Sequence, residues 1–317
     1  MVAEINNHPE TGKIVRWVIY CVAGLLCFFP FITAPLALFM GLVVALTIGI
    51  PHSAFNKKAS KYLLQIAVVG LGFGMNLIDS LRAGSEGMLF TLVTVISVLA
   101  MGILAGKWLK VGKVPSYLIA SGTAICGGSA IAAVGPVAKA SDSEMSVSLA
   151  TIFILNAIAL FIFPVLGHWL DLSQEQFGLW AAIAIHDTSS VVGAGATYGE
   201  EALKIATTVK LTRALWIIPL SLFSILYFRS EDKKISVPWF IFLFILAMVI
   251  NTYFPLPEIA GTGIVLISKK LLTLTLFFIG AGLSRATLRS TGLRPLVLGV
   301  LLWLFIGLFS LAFIYFN

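Results

Sequence analysis

The sequence predicts an all-α polytopic membrane protein with about eleven hydrophobic segments, some of them discontinuous. Three observations carry this. Hydrophobic residues make up 59 % of the 317 and charged residues 11 %, against roughly 25 % charged in ordinary globular chains. Apolar runs recur that are long enough to cross about 30 Å of hydrocarbon, which takes roughly 20 helical residues. These runs are apolar on every side, as in IFILNAIALFIFPVL (152–166), whereas barrel strands would alternate with period two.

The elements follow in order. Residues 1–13 form a polar N-terminal tail, MVAEINNHPETGK. The segments 14–33 and 34–50 come next, and no A-x-A-like cleavage site follows, so no removed signal peptide is expected. Segments 62–79 and 88–106 each lie beside a lysine cluster. Segment 116–140 contains SGTAICGGSAIAA (121–133), and 145–167 follows the SDSE turn. An acidic linker, HWLDLSQEQ (168–176), leads to 177–197, which contains HDTSS. The remainder reads as 202–228, 237–255, 262–283 and 294–316. No stretch resembles a separate soluble domain, so 1–317 is one transmembrane transporter domain.

The formal charge is +7 and the sequence pI about 9.4, which on a soluble chain would suggest nucleic acid. Placement explains it better. Lys57, Lys58 and Lys61 form one cluster; Lys107, Lys110 and Lys113 a second; Arg229, Lys233 and Lys234 a third; Arg285, Arg289 and Arg294 a fourth. All fall on one side if the N-terminus, with Lys13 and Arg16, is cytoplasmic and the C-terminus outside. This fits a multi-pass protein of the bacterial inner membrane, in contact with lipid and not with nucleic acid. Cys21, Cys27 and Cys126 sit in apolar segments without metal-site or disulfide spacing, and the four histidines are scattered. No metal and no cofactor are expected.

Two internal similarities are present. Residues 63–84 align without a gap on 271–292, pairing Gly72 and Gly74 with Gly280 and Gly282. Residues 129–155 resemble 186–212: each has a small, polar patch, a glycine-containing stretch, an acidic turn and an apolar helix. Repeats with interrupted spans at corresponding places point to a secondary transporter whose site lies where the repeats meet. Segments 116–140 and 177–197 could each cross fully. Hairpin-like insertion of both would instead make the second pair inverted, and charge does not decide between the two.

SGTAICGGSA is the stretch least suited to a continuous helix. A break exposes N–H and C=O groups, tolerable only inside protein or around a cavity. N–H groups at a half-helix start form an anion site, which small side chains let a ligand approach. Thr123, Cys126, Gly127, Gly128 and Ser129 are therefore candidate binding residues, with tight helix packing as the bland alternative. Thr188, Ser189 and Ser190 are their counterparts in the second patch.

Ionisable groups deep in apolar spans are costly and are functional candidates by default. His186 and Asp187 are candidate coupling residues: the imidazole titrates near neutral pH, and a buried carboxyl must be protonated, paired or wet. Alternatively, Asp187 caps a half-helix. Lys210 and Arg213, three apart and so on one helix face, are candidate anion ligands; a buried charge pair with Asp187 is the other option. Asn76 and Asn156 are expected to make interhelical bonds, and Lys139, Lys269 and Lys270 to mark interfaces.

SGTAICGGSAIAA, AIHDTSSVVGAGATYG and VKLTRALWIIP together resemble the signatures of the bacterial YeiH family, a family named for sulfate export. The resemblance covers nearly the whole chain, including LGFG at 71–74. It is distantly like the cation:proton antiporter and bile-acid symporter superfamily, and so implies inverted repeats with discontinuous core helices. The function it implies is secondary transport of sulfate or a related sulfur oxyanion or sulfonate, coupled to protons or sodium. A homodimer stays open.

The rival readings are a passive anion channel and an intramembrane hydrolase using Ser129 or Ser189 with His186. An ATP-driven pump is disfavoured because no GxxxxGK[ST] loop is present. The expectation is a transporter and not an enzyme.

Overall fold

The computed structural model describes residues 9–49, 51–86, 88–228, 239–254, 256–283 and 292–316. Arg229, Lys233, Lys234, Arg285 and Arg289 lie outside the described residues, as does most of the tail and 284–291 of the first repeat pair. The described chain is helical throughout, with no strand. Five helices are long and apolar enough to cross a membrane by length and composition: 90–108, 143–169, 200–228, 258–282 and 293–315.

Helices α1 (Pro9–Leu26), α2 (Ala34–Thr47) and α3 (Ser53–Leu71) open the bundle. A single 3₁₀ turn, Gly72–Gly74, ends α3 and hands over to the short α4 (Leu77–Glu86). The expected single segment 62–79 is thus replaced by a helix that starts nine residues earlier and stops at the glycine pair. Asn76 starts the next helix: its Oδ1 accepts from the backbone N of Ile78 at 2.8 Å, capping α4 where an interhelical bond is expected.

Helix α5 (Met88–Trp108) matches expectation. Segment 116–140 does not run continuously. It is split into α6 (Lys113–Ala124) and α7 (Gly128–Val137), with the break at 125–127. Gly127 takes φ +65°, a conformation that favours glycine. Gly122 on α6 faces Ile131 on α7: a Cβ there would lie 3.2 Å from Ile131 Cγ1. In one straight helix these residues would be about 13 Å apart, so α6 and α7 form a hairpin. Helix α8 (Asp142–Trp169) then runs back along α7, with Gly128 against Leu149 and Phe153. The Ser141–Glu144 capping box starts it.

Segment 177–197 is split in the same way, into α9 (Gln174–Ala184) and α10 (Thr188–Tyr198). The chain returns to where it entered. Tyr198 stacks on Phe177 with centroids 3.8 Å apart, and its hydroxyl donates to Leu172 O. Helices α11 (Glu200–Ala214) and α12 (Ile217–Phe228) form one long track alongside both hairpins. At its start, Glu201 N donates to Gln174 Oε1 beside the mouth of the α9/α10 hairpin. At its far end, the Lys113 ammonium lies 4.5 Å from the Tyr227 ring centroid, beside the start of α6. The two hairpins therefore enter the bundle from opposite ends.

Helices α13 (Trp239–Tyr253), α14 (Glu258–Gly282) and α15 (Leu293–Phe316) complete the fold. Helix α14 packs on α3 in the antiparallel sense, from Asn56 at Phe278 O (2.7 Å) to Gly74 at Val265. It also meets α2 backbone to backbone, where a Cβ on Gly41 would overlap Phe277 O, so only glycine permits that approach. The described members of the basic clusters, Lys57, Lys58, Lys61, Lys107, Lys110, Lys113 and Arg294, belong to the α6/α7 end. Glu175, Glu200, Glu201 and Lys269 belong to the other.

Candidate functional site

The tips of the two hairpins touch at the centre of the bundle. A Cβ on Gly127 would stand 3.3 Å from both Cα and Cβ of Asp187 and 3.2 Å from Ile152 Cγ2. Each tip leaves the C-terminus of one half-helix and the N-terminus of the next beside the other. Unsatisfied carbonyls and the negative dipole end occur at the first, unsatisfied N–H groups and the positive end at the second.

The carbonyl ends are held by the two deep cations of α11. Lys210 Nζ donates to Ile185 O at 2.6 Å and to Ala182 O at 3.2 Å, at the end of α9. Arg213 Nη2 donates to Ala124 O at 2.6 Å, at the end of α6, and Nη1 to Thr94 Oγ1 at 3.0 Å. Both side chains are 0 % exposed. One face of α11 thus fastens both hairpins. Among the described residues neither cation makes an ion pair with Asp187, since the salt bridges there are Lys204–Glu201 and Lys269–Glu200.

The N-terminal ends differ from each other. Asp187 caps α10, accepting from Ser189 N at 3.1 Å and from the Ser189 hydroxyl. Its own N–H donates to Asn156 Oδ1 on α8 at 3.1 Å, which is the interhelical bond expected of that amide. Helix α7 has Gly127 as N-cap and no side-chain cap. Asp187 is part-buried, whereas His186, Thr188, Ser189 and Ser190 are buried.

Several buried polar atoms around the crossing find no hydrogen-bond partner among the described residues. They are Thr123 Oγ1, Asn156 Nδ2, both ring nitrogens of His186, Ser190 Oγ and Arg213 Nε. Buried polar groups are almost always paired with protein or water, so this concentration at one point marks a polar site inside the bundle. Cys126 is buried there as a free thiol. Gly128 is part-buried, and Ser129 points out of the cluster to an exposed face of α7.

The structure thus brings Thr123, Cys126, Gly127, His186, Asp187, Ser190, Lys210 and Arg213 together and leaves Ser129 aside. The serine–histidine pairs of a hydrolase are not formed: the Ser189 hydroxyl serves Asp187, and both His186 nitrogens are without partners. Thr94 and Ile152 join the site unannounced. Thr94 is one of several hydroxyl residues on α5, beside Thr91 and Ser97, and Ile152 is one of many apolar residues on α8, so neither residue type singles out its position. Among the described residues no group of three His, Cys, Asp or Glu side chains could hold a metal.

Fold and site define a polytopic helical membrane protein with two interrupted hairpins crossing at its centre. The chain belongs to the family described as conserved hypothetical protein 698, whose model matches residues 14–299. A UPF0324 membrane protein of Bacteroides thetaiotaomicron is 62 % identical over 298 residues, covering 93 % of this chain and 90 % of its own. One of Porphyromonas gingivalis is 55 % identical, covering 95 % and 94 %, and one of Shewanella oneidensis 46 % identical, covering 94 % of each. No solved structure matches the chain.

Proposed function

We propose that this protein is a secondary transporter of a small anion, sulfate or a related sulfur oxyanion or sulfonate, coupled to protons or sodium. The single observation that carries the reading is the crossing. Two interrupted hairpins from opposite ends meet at a cluster of unpartnered polar atoms, most of them donors (Thr123, Asn156, Ser190 and the Arg213 Nε). Irregular backbone at membrane depth suits a solute site built on half-helix ends, and an anion takes hydrogen bonds from donors. The Lys210 and Arg213 ammonium and guanidinium groups set the local charge while holding the hairpins.

Internal symmetry supports the same reading. Helices α6–α7–α8 and α9–α10–α11 repeat the order half-helix, half-helix, long helix, with α8 and α11 running in opposite senses. Helices α3 and α14 pack antiparallel in a register that brings Gln65 level with Thr273, the residues that the 63–84/271–292 alignment also pairs. We read these as inverted repeats, and the eleven hydrophobic segments as nine crossings and two hairpins. The basic end is cytoplasmic by the positive-inside rule, which places the N-terminus in the cytoplasm and the C-terminus outside the inner membrane. The resemblance to the YeiH family points the same way.

The test is flux of radiolabelled sulfate, sulfite and an organic sulfonate into proteoliposomes, with and without a pH gradient. Gradient-dependent flux of one of them, absent from empty liposomes, is expected. Flux that is indifferent to both proton and sodium gradients would identify a passive channel instead.

A further inference from the structure

We propose that the cavity at the α9/α10 end of the bundle binds a small organic anion with an apolar body, a reading that rests on and deepens the transport proposal. The cavity is about 540 Å³, within the size range of small-molecule sites. It lies between α11, α14 and the 3₁₀ turn after α3. Leu71, Met75, Leu203, Val265 and Leu266 give it apolar walls, and Lys204 and Lys269 supply cations at its rim. A bare tetrahedral oxyanion would leave those walls unused and gain nothing from them. An anion carrying a hydrocarbon portion matches both parts of the lining.

Glu200 shows where the anionic group would sit. Its Oε1 accepts from Lys269 Nζ at 2.5 Å, yet the Glu200 side chain is 80 % exposed and that of Lys269 33 %. An exposed ion pair of this kind contributes little, so a ligand carboxylate or sulfonate can replace the Glu200 carboxylate one for one. Glu258 also lines the cavity, but it is eleven residues from Lys269 on α14, roughly 16 Å along the axis, too far to oppose the head group. On the inner wall, Thr207 is buried one helical turn before Lys210. Helix α11 therefore leads from this cavity to the crossing, and the anion bound here is the one that proceeds inward.

The experiment is titration calorimetry of the full chain in neutral detergent with hexanoate, and in parallel with sulfate. Hexanoate is expected to bind more tightly than sulfate. Lys269→Gln should weaken hexanoate by about tenfold, the size of one charge-assisted contact. Glu200→Gln should tighten it severalfold, because the internal competitor is gone. Glu200 is exposed and Lys269 part-buried at the rim, and each substitution keeps a polar side chain of similar length, so neither change threatens the fold. Equal hexanoate affinity in both variants and the native chain, or no hexanoate binding at all, overturns the proposal. Loss of hexanoate binding on adding phosphatidylglycerol to the micelles also overturns it, by identifying a lipid as the occupant. Binding is read without transport, so the two readings fail separately. A chain that binds hexanoate as stated yet moves no solute sinks the transport reading and the inward step with it but keeps the cavity as an anion site, and one that transports without binding hexanoate sinks only the cavity assignment.

Discussion

Gly127 and Asp187 are in contact across sixty residues of chain: a Cβ on Gly127 would lie 3.3 Å from Asp187 Cα and Cβ. The contact joins the two hairpin tips.

The first prediction concerns the glycines. Gly127 has φ +65° and ψ −123°, a region sparsely populated by L side chains, so Gly127→Ala should cost about 1–3 kcal/mol in backbone strain, read as a lowered Tm in detergent. Gly128 has an ordinary conformation, and a Cβ there would lie 3.2–3.5 Å from Phe153 and Leu149. Gly128→Leu should leave a monodisperse protein but fill the start of α7 and abolish flux. Native flux in that variant would remove α7 from the binding site.

A second prediction separates the two cations. Lys210→Met leaves Ile185 O and Ala182 O without their donor, which should cost about 1–3 kcal/mol for each orphaned group and appear as a falling Tm. Arg213→Ala should lose stability for the same reason and lose anion binding as well, since its Nε is unpartnered at the crossing. Sulfate affinity measured by calorimetry checks this. Native affinity in Arg213→Ala would confine the residue to holding α6.

Much of this centre was legible in the sequence, and what was not has a physical cause. The break at Gly127 could be read because glycines and hydroxyls crowd a span that should prefer Leu and Ala. The break at Asp187 could be read because a carboxylate there needs a reason. That Lys210 and Arg213 stood on one face followed from spacing; what they touch did not. Their carbonyl partners at Ile185 and Ala124 lie 25 and 89 residues away, and every residue has a carbonyl, so no residue type announces the pairing. Ser129 stands apart from the buried cluster because α7 turns it outward, a rotation that composition does not fix. The start of α3 was missed because Lys57, Lys58 and Lys61 look like a linker, although they lie on its second and third turns.

Topology gives a third prediction. On a background lacking Cys21, Cys27 and Cys126, Gln174→Cys should react with an impermeant thiol reagent from outside. Lys139→Cys, exposed just past α7, should react only from the cytoplasm. Two full crossings in place of the hairpins would give the reverse pattern.

The fourth concerns coupling. Asp187 caps α10 through Ser189, and Asn is about as good an N-cap as Asp. Asp187→Asn should therefore keep the fold while removing a titratable group from the crossing. Anion affinity, measured by calorimetry across pH, should lose its pH dependence in this variant. Retention of the native dependence would move coupling elsewhere, with His186 the next residue to replace.

The central claim is that an anion and a proton share the crossing, because the Asp187 carboxylate and a bound oxyanion repel one another unless a proton lies between them. It is tested most directly by proton movement accompanying anion entry, measured with a pH-sensitive dye inside sodium-free proteoliposomes. An inward gradient of the anion that the native chain transports should change the lumenal pH, and Asp187→Asn should pass the anion with no such change. Anion entry through the native chain at constant lumenal pH, or an undiminished pH change in Asp187→Asn, would contradict the account.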